Sequence, residues 1–150
     1  MFYCHVFYPE NSGYSNAFQN LINAILRHDK NMEITVVTPF LLPKGTPELE
    51  IERLTVNRLK PKINIAKRYF YLINDYFYAK KVSSLFSTGE YDLLVVETFD
   101  QAIFINSLKK TVLDKTAIRI HATNETEYTI FDTRISFKIR KYFIKSKIKN

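Results

Sequence analysis

The sequence predicts an α/β protein built on a mainly parallel sheet with helices on both faces. Three observations predict it. Short apolar, β-branched runs alternate along the chain with longer segments whose apolar residues recur at helical spacing. The connections are short and punctuated by Pro, Gly, Asn and Ser. With 150 residues the chain is long enough for one domain with a sizeable core. Alternation of this kind makes neighbouring strands parallel, with right-handed crossovers.

The elements follow in order. Phe2 to Tyr8 (FYCHVFY) reads as a buried strand that ends at Pro9. A polar loop from Glu10 to Asn16 leads into a helix marked by Ala17/Phe18, Leu21/Ile22 and Ile25, with Ser15 or Asn16 as its N-cap. Ile34 to Thr38 is a β-branched second strand bounded by Pro39. Leu54 to Leu59 is a third, more polar strand, expected near an edge. Ile65 to Phe86 carries a long helical pattern, stopped by Ser87-Thr88-Gly89. Leu93 to Val96 is the fourth strand, and Thr98 to Lys110 fits a helix. Ala117 to Ile120 is the fifth strand. A helical pattern resumes near Glu127 through Phe131, Ile135, Ile139 and Tyr142/Phe143.

Charge is distributed unevenly. The net charge is +7, and seven basic residues with no acid lie between Arg134 and Asn150. Subtracting those seven from 22 leaves 15 basic residues against 15 acidic ones in positions 1–133. The body, 1–133, is therefore neutral, and 134–150 is expected to be a basic amphipathic helix, the truncated end of the same domain, which could lie on an anionic membrane surface or pack its apolar stripe on the sheet with its cations solvated. A neutral body argues against nucleic acid as a partner, which would call for a basic face there. The single cysteine, Cys4, permits no intrachain disulfide and reads as a small buried hydrophobe. With no leader pattern and no run near the roughly 20 apolar residues that span a bilayer, the expected location is cytoplasmic, or peripheral on the inner face of the plasma membrane. Three scattered histidines and one cysteine give no metal-ligand spacing, so neither a metal nor a cofactor is expected.

In parallel sheets ligands bind beyond the carboxyl ends of the strands, which singles out the residues at the tips. After the first strand, Ser12, Gly13, Tyr14 and Ser15 form a small-residue loop running into a helix, able to offer N–H groups and a positive dipole end to an anion. A plain turn with a capped helix is the alternative. After the fourth strand, Glu97 and Asp100 could orient hydroxyls, or Thr98 or Asp100 could simply cap the next helix. After the fifth come His121 and, as a further candidate binding residue, Thr123; His121 could donate to a sugar hydroxyl or a phosphate, or be satisfied by neighbouring backbone. His5, inside the first strand, and His28, at a helix end, read as structural or solvated.

The order and spacing of these tips resemble the N-terminal half of GT-B glycosyltransferases, and within them the retaining group called glycosyltransferase family 4. Residues 7–15 (FYPENSGYS), the helix 16–26, 33–39 (EITVVTP), 91–97 (YDLLVVE) and 118–123 (IRIHAT) carry the likeness, which spans most of 2–125. The resemblance implies a Rossmann-like domain that holds the acceptor. A second domain, not found in these 150 residues, would bind most of the nucleotide-sugar donor. It implies Gly13 near the donor phosphate and the acceptor, and His121 as the catalytic residue facing the transferred sugar. Ser12-Gly13 stands where that family often has two glycines. The implied reaction moves a sugar to a hydroxyl of a glycan or lipid-linked acceptor with retention, as in cell-surface polysaccharide synthesis. The chain alone is expected to be inactive. Lys138, Lys141 and Lys145 in the basic helix would meet an anionic membrane surface. The rival expectations are a stand-alone nucleotide-binding or regulatory domain, and a membrane-surface interaction module driven by the basic segment.

Overall fold

The computed structural model describes residues 1–62, 71–98 and 102–120. Five strands form one sheet: β1 (Phe2–Tyr3), β2 (Ile34–Thr38), β3 (Leu54–Arg58), β4 (Leu94–Thr98) and β5 (Thr116–Ile120). Their order is β3-β2-β1-β4-β5, and every pair is parallel. The chain winds outward from β1 to β3, returns to the other side of β1, and winds outward again to β5. The order therefore reverses between β1 and β4, the place where such sheets open a crevice.

Helices cover both faces. α1 (Gly13–His28) follows β1, α2 (Tyr71–Thr88) follows β3, and α3 (Ala102–Ser107) and α4 (Lys110–Leu113) separate β4 from β5. The period-two alternation of strand side chains divides the core in two. Val36 and Ile34 pack with Cys4, Phe7, Phe18, Ile22 and Leu26 on the α1 side. Tyr3, Val37, Leu94 and Val96 pack with Ala79, Val82, Phe86, Phe104 and Val112 on the other. The Tyr3 ring stacks on Phe104, with centroids 3.9 Å apart.

The strands differ from the sequence reading chiefly at β1. The aromatic run predicts a strand to Tyr8, yet regular pairing stops at Tyr3, with one further bond from Cys4 N to Val37 O. Cys4 and Phe7 remain fully buried after the chain leaves the sheet, so apolarity here marks core rather than strand. The segment then turns, with Glu10 N donating to Phe7 O and a cis Tyr8–Pro9 peptide. The single helix expected over 98–110 is also absent. Thr98 belongs to β4, and α3 and α4 are separate short helices. The break falls at Leu108–Lys109, where Leu108 is buried and Lys109 N donates to Ser83 Oγ on α2 at 3.2 Å. The expected helix beyond Glu127 and the first turns expected over 65–70 lie outside the described residues.

Arginines fasten the loops. Arg53, at φ 64, donates to Leu26 O and Asp29 O, both at 2.7 Å, and so closes the C-terminal end of α1. Arg58, the last residue of β3, donates to Glu48 at 2.6 and 2.7 Å and to the carbonyls of Tyr8 and Phe40. One guanidinium thus ties the segments after β1 and β2 to the tip of β3. These hydrogen bonds hold the Glu48 carboxyl below the usual carboxylate range.

Candidate functional site

Two polar groups flank the tip of β1, one on each face of the sheet. The first lies on the α1 side. Ser12 is the N-cap of α1, ahead of the expected Ser15 or Asn16: its Oγ accepts from Ser15 N at 3.2 Å and donates to the Glu10 carboxylate. The helix therefore starts sooner than its apolar stripe suggests, because the stripe reports packing and the cap reports hydrogen bonding. Gly13 and Tyr14 stand in its first turn rather than in a loop. Ser15 is fully buried, and its hydroxyl accepts from Gln19 at 3.1 Å, so it faces the protein.

Gly13 has no positive φ, and no described atom lies within 4 Å of where a Cβ would stand. The fold itself makes no demand for glycine there. The open helix start leaves room for a ligand to approach the backbone.

Glu97, on β4, is fully buried. Its pleat position points it to the α1 face, where the half-buried Tyr14 is hydrogen-bonded to it through its hydroxyl. Its other partner is Arg119, its register mate on β5, which donates to Oε1. Burial first, and Glu97 second, push the Tyr14 phenol far above its ordinary range, so it stays protonated and donates. Burial likewise pushes the Cys4 thiol well up, with Glu97 adding to the effect, and its side chain is hydrogen-bonded to Thr38. A thiol kept protonated is no nucleophile, which agrees with its reading as a small buried hydrophobe.

The second group lies on the α2 side and was missed in the sequence. His5 Nε2 stands 3.4 Å from Tyr3 OH and 3.2 Å from Asp75 Oδ1 on α2. Asp75 is 2% exposed, whereas the His5 side chain is 35% exposed. The Asp75 contact is at ion-pair distance but off the hydrogen-bonding line, and Oδ1 has no hydrogen-bond partner. The available signal was an aspartate within an apolar helical pattern.

The structure thus brings Ser12, Gly13, Tyr14 and Glu97 to one side of the β1–β4 reversal and adds Arg119. His121, Thr123, Asp100, Lys138, Lys141 and Lys145 lie outside the described residues. Among the described residues, no group of three or more His, Cys, Asp or Glu side chains could hold a metal ion. No described helix is long and apolar enough to cross a membrane. No family model matches the sequence, and no curated protein matches it significantly.

Proposed function

We propose that this chain is the acceptor-binding domain of a glycosyltransferase that moves a sugar from a nucleotide-sugar donor to a hydroxyl of a glycan or lipid-linked acceptor. The observation that carries the reading is the polar group on the α1 side of the β1–β4 reversal. An open helix start at Gly13 stands near a buried Glu97 whose partners, Tyr14 and Arg119, come from the two flanking elements. A helix N-terminus suits phosphate. An arginine whose side chain is about one-third exposed beside a strand tip suits a sugar hydroxyl or a phosphate oxygen.

The roles follow from the chemistry. Gly13 lets the ligand meet the helix backbone. Glu97 holds Tyr14 and Arg119 in place, and Arg119 presents its outer edge. His121, the residue that follows β5 in sequence, acts on the transferred sugar in this reading, and Thr123 assists in binding. A second, donor-binding domain completes the cleft and grips the nucleotide. Catalysis then rests on orientation and on stabilising the departing diphosphate, with retention at the anomeric carbon. The basic segment 134–150, through Lys138, Lys141 and Lys145, holds the domain against anionic lipid on the inner membrane face.

A binding and transfer screen tests the reading. The 150-residue chain is incubated with nucleotide sugars and glycan acceptors, separately and together. Binding of glycans without transfer is expected. Turnover by this chain alone contradicts the assignment of the donor site to another domain. Binding of nucleotides with no binding of any glycan favours a nucleotide-binding regulatory domain instead.

A further inference from the structure

The polar group on the α2 side has a chemistry of its own. Asp75 is a nearly fully buried carboxylate, and Oδ1 has no hydrogen-bond partner. Burying a carboxylate is costly unless a proton donor faces it. The donor within reach is His5 Nε2, 3.2 Å away. Carrying its proton on Nε2 is therefore the arrangement of a neutral His5 that best serves the carboxylate. The lone pair then resides on Nδ1. Nδ1 has no partner among the described residues, and the side chain is one-third exposed. With the proton on Nε2, Tyr3 OH, 3.4 Å away, is an acceptor for it and not a donor. The Tyr3 ring, stacked on Phe104 and edge-on to the imidazole at 5.7 Å, backs the histidine from the core side.

A base whose far nitrogen faces a buried acid at 3.2 Å is suited to accept a hydrogen bond at its near nitrogen. Its ligand must bring a donor. A phosphate brings negative charge and mostly acceptor oxygens, so it suits a lone pair beside the Asp75 carboxylate poorly. We propose that His5 and Asp75 form a subsite for a hydroxyl of a neutral, polyhydroxylated ligand, with Nδ1 of His5 accepting the hydroxyl proton in a hydrogen bond and Asp75 acting as the positioning residue. The subsite rests on the reading of this domain as one that binds a hydroxylated acceptor. It places that ligand across the tip of β1, between the α1-side group and α2.

Nitrogen-15 spectra of the histidine rings in the full chain test it, at a pH where the imidazoles are neutral. His5 is expected in the Nε2–H tautomer. Asp75→Asn should erode that preference, because an amide can also donate. Titration with a methyl glycoside should move the His5 Nδ1 resonance, and titration with inorganic phosphate should not. His5→Phe should weaken glycoside binding by about tenfold, the worth of one hydrogen bond. An Nδ1–H tautomer in the unmodified chain overturns the proposal, and that reading needs no variant to fold. An Nδ1 response to phosphate alone, or to neither probe, also overturns it. The tautomer and the glycoside response are independent of sugar transfer. A chain that passes both tests but never supports transfer with any donor domain would refute the glycosyltransferase reading and leave the subsite standing.

Discussion

Glu97 and Arg119 are register partners on adjacent parallel strands, and the guanidinium of one donates to the fully buried carboxylate of the other. A carboxylate at zero exposure is tolerable only while its donors stay in place. Arg119→Met is therefore expected to destabilise the fold by about 2 kcal/mol, less than for a wholly buried pair because the Arg119 side chain is partly solvated. Arg119→Met with Glu97→Leu should recover much of the loss. Urea unfolding of both variants checks the pair. An Arg119→Met chain as stable as the parent would mean that Arg119 does not hold Glu97 in place.

Ser12 and Gly13 separate fold from function at neighbouring positions. Ser12→Ala removes the cap on Ser15 N and should cost about 1 kcal/mol. Gly13→Ala meets no described atom and should be neutral or stabilising by up to about 1 kcal/mol, since alanine is the better helix former. If ligand approaches the backbone there, the same methyl group should weaken binding. Thermal unfolding and ligand titration of the two variants separate these effects.

Gly89 is glycine for a different reason. The expected helix stop is there, and Gly89 N donates to Leu85 O at 2.9 Å, but the residue has no positive φ. A Cβ would lie 2.2 Å from the Tyr91 ring, which packs against Phe86 with centroids 5.9 Å apart. Gly89→Ala should force that ring out and cost about 1–3 kcal/mol. Paired with Tyr91→Ala it should add little further cost, which a double-mutant cycle by urea unfolding measures.

Alkali should unfold the protein through its buried phenols. Burial, with Asp75 next in effect, pushes the Tyr3 phenol well up, and burial with Glu97 does the same for Tyr14. An acid with a raised folded-state pKa is neutral in the fold and ionises more readily once unfolded. Its stabilisation is full below the ordinary phenol value of about 10 and is lost as pH rises beyond that. An ultraviolet titration of the ten tyrosines should therefore show a late group that ionises together with unfolding. Tyr14→Phe should shrink that group. A single titration near the ordinary value, ahead of unfolding, would contradict the burial of Tyr3 and the pairing of Tyr14 with Glu97.

Much of the frame was legible because β-branched runs and helical stripes report burial directly. Ile34–Thr38 matches β2 outright, and β4 and β5 fall within two residues of their predicted bounds. β1 was overread because Cys4 and Phe7 are core without being strand. The break between α3 and α4 was illegible because it depends on Ser83, 26 residues before Lys109. The site divides in the same way. Glu97 announced itself as an acid ending an apolar run. Tyr14 was legible as a residue after the first strand, but its pairing with Glu97 was not, and Arg119 was not legible at all, because these pairings need the side of the sheet that α1 covers and the register of β4 on β5. His5 was hidden inside an aromatic run, and its partner Asp75 is 70 residues away.

The central claim is that a sugar acceptor binds at the β1–β4 reversal. Backbone amide mapping of the full chain during titration with candidate glycan acceptors tests it most directly. The account predicts that the largest shifts fall at Gly13, Tyr14, Glu97 and Arg119, with little response to free nucleotide. Shifts elsewhere in the chain with these four unmoved, or a response at these four to nucleotide and to no glycan, would contradict it.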